Sequence, residues 1–122
     1  MPSPYKAYSR ASHTVSKPRQ VVMLFEGAIR FLQQAAEAMD KDDPHLRYEK
    51  LARANEVIIA LQSALDLANG GEQARGLHDF YNSIEARIRA LHRSSNADAC
   101  DQIVAELREM RDIWDTLDRQ DG

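Results

Sequence analysis

Four histidines and one cysteine are the residues whose types come nearest to metal-binding or nucleophilic chemistry in this 122-residue chain. A di-metal centre inside a helical protein needs Glu on two helices and a Glu-x-x-His pair on two others, because residues three apart project from one helix face. His13, His45, His78 and His92 are preceded at that distance by Arg10, Asp42, Arg75 and Arg89, so only Asp42-x-x-His45 supplies a carboxylate. It spans a loop and has no second copy. Cys100 has no histidine arrangement that would draw off its proton, and it falls on an apolar helix seam, which reads as a buried, inert thiol. A lone cysteine also excludes an internal disulfide, as expected of a reducing cytoplasm. Gly70-Gly71 stands alone before a helix, where it reads as a helix stop and not as a phosphate-binding loop. A mutase-type helical enzyme would point several basic groups and a Glu into its core to stabilise charge. The apolar seams of this chain carry none, so we expect no enzyme activity, no catalytic residue, no metal and no cofactor.

The elements that would position any site are helices. Ser16 is a candidate N-cap and Pro18 stands near the start of helix one, which is predicted to run to Met39. Asp40 to Asp43 make a loop, with Asp43 capping a second helix from Pro44 to Ala68. Asn69-Gly70-Gly71 separates it from helix three, Glu72 to His92, and Asn96 caps helix four, Ala97 to Asp118. Apolar residues within each segment recur at steps of three and four: Val21, Phe25, Ala28, Leu32, Ala35 and Met39; Leu51, Ala54, Ile58, Leu61 and Leu65; Leu77, Tyr81, Ile84, Ile88 and Leu91; Cys100, Ile103, Leu107, Met110, Trp114 and Leu117. That spacing places each set on one face. Short turns between such helices specify an all-α, antiparallel up-and-down four-helix bundle over 17–118, with an N-terminal covering arm, 1–16, and a flexible tail, 119–122.

Charge is unevenly distributed. Residues 1–19 carry Lys6, Arg10, Lys17 and Arg19 and no acid, a formal +4, which leaves 12 basic and 19 acidic residues and a formal −7 for the rest. An acidic body argues against binding nucleic-acid backbones. The arm lacks the apolar core of a secretory signal, and its composition would also suit a transit peptide. Its aromatics, Tyr5 and Tyr8, favour docking of the arm on the chain's own surface instead. No apolar run approaches the ~20 residues of a membrane span, so no stable membrane insertion is expected. Asp98 and Asp101 at the start of helix four, and Arg87, Arg89, His92 and Arg93 at the end of helix three, complement the helix dipoles.

Two segments are more apolar than one seam requires: Val21-Val22-Met23-Leu24-Phe25 and Val57-Ile58-Ile59-Ala60-Leu61. Val22 and Ile29 form one line beside the helix-one seam, and Leu24 and Phe31 form another. Surplus apolar surface of this kind is covered by the chain's own arm, by a homodimer partner or by a client. A groove between bundle helices suits an amphipathic segment that folds as it binds. We therefore expect Val22, Leu24, Ile29, Phe31, Val57, Ile59 and Tyr81 to form a partner-binding surface, and Tyr5, Tyr8 and Val15 to belong to the covering arm.

Several short stretches resemble one family. Tyr5-Lys6-Ala7-Tyr8 is similar to its N-terminal aromatic motif, and Met23-Leu24-Phe25-Glu26-Gly27-Ala28 resembles its Met-Leu-aromatic-acid-Gly-Ala stretch. Leu65-Asp66 through Gly70-Gly71-Glu72 resembles its Leu-Asp…Gly-Gly-Glu turn, followed by Leu77 and Phe80-Tyr81, and Ile113-Trp114 is similar to its C-terminal Ala-Trp region. The family is that of the flagellin-specific export chaperones, the FliS family, and the resemblance runs from about residue 5 to 117. The chain departs from the family's pattern at Lys17-Pro18-Arg19, Tyr48, Asn82-Ser83 and Ala86. The resemblance implies a cytoplasmic helical bundle that binds the disordered C-terminal segment of flagellin, prevents its premature polymerisation and delivers it to the flagellar type III export gate. It also implies an N-terminal arm that shifts to admit the client. The alternative that the residues leave open is a self-associating structural or signalling bundle with no flagellin client.

Overall fold

The computed structural model describes residues 17–121, leaving aside the side chains of residues 67–69 and 121. Within that range the chain forms α1 (Lys17–Asp40), α2 (Pro44–Ser63), α3 (Leu67–Leu91) and α4 (Ala97–Asp121), with no strand. The Ser16 cap and the expected arm residues Tyr5, Tyr8 and Val15 lie outside the described residues.

Local chemistry sets the turns. Asp42 takes a left-handed conformation (φ 55°), while Asp43 N–H donates to Ala38 O at 2.8 Å and Asp42 N–H to Met39 O at 3.2 Å. Those two bonds are the signature of a Schellman ending of α1. Asp43 then caps α2, its Oδ1 accepting from Leu46 N–H at 3.1 Å, with Pro44 in the first turn where no N–H is needed. Asn96 does the same for α4, accepting from Ala99 N–H at 3.1 Å.

The second boundary departs from expectation. α2 ends at Ser63 and not at Ala68, because the chain tightens there. Ser63 Oγ donates back to Ile59 O at 2.9 Å, and Leu65 N–H donates to Gln62 O at 3.2 Å, a bond to the third residue back instead of the fourth. This keeps Leu65 against the core but redirects the chain beyond it. A short helical turn over 67–70 leads to Gly71, whose φ of 60° and ψ of −142° break the helical path. Any side chain at Gly71 would be strained. Gly70 is equally constrained, since a Cβ there would lie 2.5 Å from Ala74 Cβ. At the other end α4 continues to Asp121, so the tail expected over 119–122 is helical through that residue. An Arg119–Asp115 pair one turn apart (3.2 Å) supports the extension.

Neighbouring helices run antiparallel: Arg19 near the start of α1 meets Asp115 near the end of α4, and Arg47 early in α2 donates to the carbonyl of His92 just beyond α3. The core is built from the expected seams. Phe25, Leu32, Leu51, Ile58, Tyr81, Ile84, Ile88, Cys100, Ile103 and Leu107 are each no more than 1% exposed. Each such aliphatic side chain contributes about 1.5–3 kcal/mol of burial. Cys100 donates through its Sγ to Leu32 O at 3.2 Å, and burial, with Asp101 nearby, pushes its thiol up to about 11. It stays protonated, the inert thiol the seam implied.

α1 packs along both α2 and α4, and α2 along α3, but α3 and α4 meet only lightly. That asymmetry positions the site.

Candidate protein-binding surface

α3 and α4 are clamped near one end. Arg87 donates to both oxygens of Glu106, Nη1 to Oε1 at 2.8 Å and Nη2 to Oε2 at 2.5 Å. Hydrogen bonding and charge hold the Glu106 carboxyl below the usual range and Arg87 above its own. Beside the clamp lies a cleft of about 310 Å³, lined largely by Ala90, Leu91, Ala99 and Ile103. Away from the clamp the seam opens. Phe80 lies seven residues before Arg87, and Ile113 seven after Glu106. Seven residues are nearly two helical turns, so both sit on the flanks that the clamp turns toward each other. Leu77 and Phe80 on α3 and Met110 on α4 are half-buried, while Ile113 is 56% and Leu117 42% exposed.

The floor under this seam is aromatic. Tyr81 packs against Phe80 with ring centroids 5.8 Å apart, and against Phe25 across the bundle at 6.1 Å. Burial pushes the Tyr81 phenol up to about 12, so it remains neutral.

The structure redistributes the residues expected to bind a partner. Val22, Ile29 and Tyr81 are buried and offer no free surface. For Val22 and Ile29 the physical reason is that α1 has a neighbour on each side, and Tyr81 of α3 packs inward on Phe25. Ile29 sits at the α1–α4 boundary among Glu26, Arg30 and Arg108, and Phe31 lies on the other flank under Lys50 of α2, whose Nζ is 5.8 Å from the ring centroid. Leu24, Phe31 and Val57 are half-buried and packed against the core, and of the expected set Ile59 alone is largely exposed, at 47%. These residues do not form one patch around α1. The apolar groups left over lie instead at Met23, Tyr48 and Ile59, and along Ile113 and Leu117 of α4.

Sequence reasoning used Ile113 only for the family resemblance and assigned Leu117 to the core seam. A signal was present: Met110, Ile113, Trp114 and Leu117 together make a stripe as broad as the one noticed on α1. Three of the four members of the basic cluster at the end of α3 have partners within the chain. Arg87 binds Glu106, Arg89 lies 3.8 Å from Glu85, and the His92 ring stacks against Tyr48 at 4.9 Å. Burial and the charge of Arg47 lower the His92 pKa, which favours its neutral form. Among the described residues no group of three or more His, Cys, Asp or Glu side chains is placed to hold a metal ion, and no helix is long and apolar enough to cross a membrane.

Among the described residues the arrangement is that of a helical scaffold with exposed apolar groups along α4. The chain is 30% identical over 115 residues to the flagellar secretion chaperone FliS of Vibrio cholerae, covering 93% of this chain and 85% of that protein. It is 26% identical to the Campylobacter jejuni flagellar secretion chaperone FliS (90% and 87% covered) and 28% identical to that of Salmonella typhimurium (89% and 85%). It also matches the family described as flagellar protein FliS over residues 1–121. With a helical bundle, an open α3–α4 seam and this match over nearly its whole length, the chain belongs to the FliS family of flagellar secretion chaperones.

Proposed function

We propose that this chain is a cytoplasmic export chaperone for flagellin. It holds the disordered C-terminal segment of flagellin, prevents premature polymerisation and delivers the client to the flagellar type III export gate. The observation that carries this reading is the apolar seam between α3 and α4, in a family of secretion chaperones. An amphipathic client segment inserts its apolar side between Leu77 and Phe80 on one wall and Met110, Ile113 and Leu117 on the other, above Tyr81. Leu24, Phe31, Val57 and Ile59 extend the contact where the client wraps further, while Val22 and Ile29 support it from beneath. The segment 1–16 serves as a separate covering arm, with Tyr5, Tyr8 and Val15 occupying the seam until the client displaces them. Its Lys6 and Arg10, with no acid beside them, give it a charge opposite to that of the rest of the chain.

The test is calorimetric titration with a peptide of the flagellin C-terminus. Ile113→Asp with Leu117→Asp should weaken binding about tenfold or more while leaving helicity intact. Unchanged affinity would sink the seam assignment, and a concentration-dependent mass with no peptide binding would favour the self-associating bundle. Deleting residues 1–16 should leave the affinity equal or tighter.

A further inference from the structure

On the opposite flank of α4, a polar cleft of about 230 Å³ lies between α1 and α4, lined by Glu26, Ile29, Arg30, Gln33, Arg108 and Arg111. Three guanidinium groups converge there, on a body whose formal charge is −7. Arg108 and Arg111 stand three residues apart on α4 and so share a face, and Arg30 approaches from α1; like charges placed this way repel. The acids nearby already have partners, and one of them, Asp112, accepts from Arg111 itself. Glu26 lies 3.8 Å from Arg19, Asp112 lies 3.0 Å from Arg111, and Asp115 is shared between Arg19 at 3.4 Å and Arg119 at 3.2 Å. Arg30 and Arg108 are exposed, and neither pairs with a carboxylate among the described residues.

We propose that this α1–α4 cleft is a docking site for an acidic segment of a partner protein, whose carboxylates are held by Arg30 and Arg108, with the Asp112-paired Arg111 beside them. Guanidinium groups take carboxylates through two parallel hydrogen bonds, and arginines tolerate desolvation at interfaces better than lysines do. The flanks of two helices present no free backbone N–H with which to enclose a single small anion, since those groups are spent within the helices. The arginines are instead spread along two antiparallel helices, a footprint that suits a length of chain. The acidic body disfavours a nucleic acid at the same place. The cleft and the α3–α4 seam lie on opposite flanks of α4, so a client and an acidic partner are compatible on one molecule. The proposal does not depend on the identity of the client.

The probe is a short poly-glutamate peptide, titrated against the full chain at low salt by calorimetry and amide NMR. Binding should perturb amides around Arg30 and Arg108 and weaken as salt is raised. The double variant Arg30→Glu, Arg108→Glu should lose roughly tenfold or more in affinity, the scale of lost charge-assisted hydrogen bonds. The charge-matched Arg53→Glu, Arg75→Glu variant, altered at exposed positions on α2 and α3, should retain the affinity. Circular dichroism confirms that both remain helical. The proposal is overturned if the peptide does not bind, if both variants lose affinity equally, or if the perturbed amides lie elsewhere. It is equally overturned if inorganic phosphate competes as well as the peptide, or if an oligonucleotide binds the cleft more tightly.

Discussion

Helices α1 and α4 both carry apolar stripes wider than a single seam, yet α1 buries most of its stripe, Met23 excepted, while α4 does not. α1 lies between α2 and α4, so Val22 is 1% and Ile29 5% exposed, although both stand off the central line. α4 packs closely against α1 alone, and on its other flank Ile113 and Leu117 remain 56% and 42% exposed. Similar sequence patterns thus have opposite outcomes. The number of close neighbours, not the breadth of the stripe, decides whether surplus apolar surface becomes core or stays exposed.

The sharpest way to break this comparison is to truncate one residue on each side of it. Phe25→Ala removes a ring with no solvent exposure and should destabilise the bundle by about 3–5 kcal/mol in urea unfolding. Leu117→Ala should cost under about 1 kcal/mol in the same experiment. Equal costs would show that the seam is packed as tightly as the core.

Gly71 kinks α3 near its start. Gly71→Ala places a side chain at φ 60° and should cost about 1–3 kcal/mol, read as a lowered melting temperature. A neutral result would mean that the start of α3 relaxes freely.

The clamp at the closed end gives a smaller effect with a pH signature. Glu106 has a lowered carboxyl pKa in the folded state, because Arg87 binds its charged form. Its contribution is therefore fully present above the unfolded carboxyl value of about 4.3 and is lost as the pH falls through the lower folded value. Glu106→Gln should cost about 0.5–1 kcal/mol at neutral pH, as expected of a half-exposed ion pair, and the difference from the parent should vanish in acid. A difference that persists there would assign the cost to packing rather than to charge. The smallest effect is expected at Asp42, where Asp42→Gly relieves a left-handed side chain and should leave stability unchanged or raise it by up to about 1 kcal/mol.

Much of the fold was legible because its signals are local. Asp43 and Asn96 act as caps through their own side chains, Gly71 breaks a helix through its own backbone, and residues at steps of three and four share a face by helix geometry alone. The end of α2 was not legible: Leu65 keeps the helical step from Leu61, and only the tightened turn after Ser63 shows that the α-helix has stopped. The apolar surplus behind the candidate site was legible, but not which of its residues would stay exposed: Val22, Ile29 and Tyr81 lie in the interior while Ile113 lies at the surface.

The sequence by itself determined four amphipathic helices, their caps, an inert buried cysteine and an apolar excess, since each depends on residues within a few turns of one another. Only the tertiary structure decided which flank of each helix received a neighbour. The Arg87–Glu106 clamp draws α3 and α4 together near one end, and their light contact leaves Ile113 and Leu117 uncovered at the other. Solvent exposure belongs to pairs of helices, and no periodicity within a single helix encodes it.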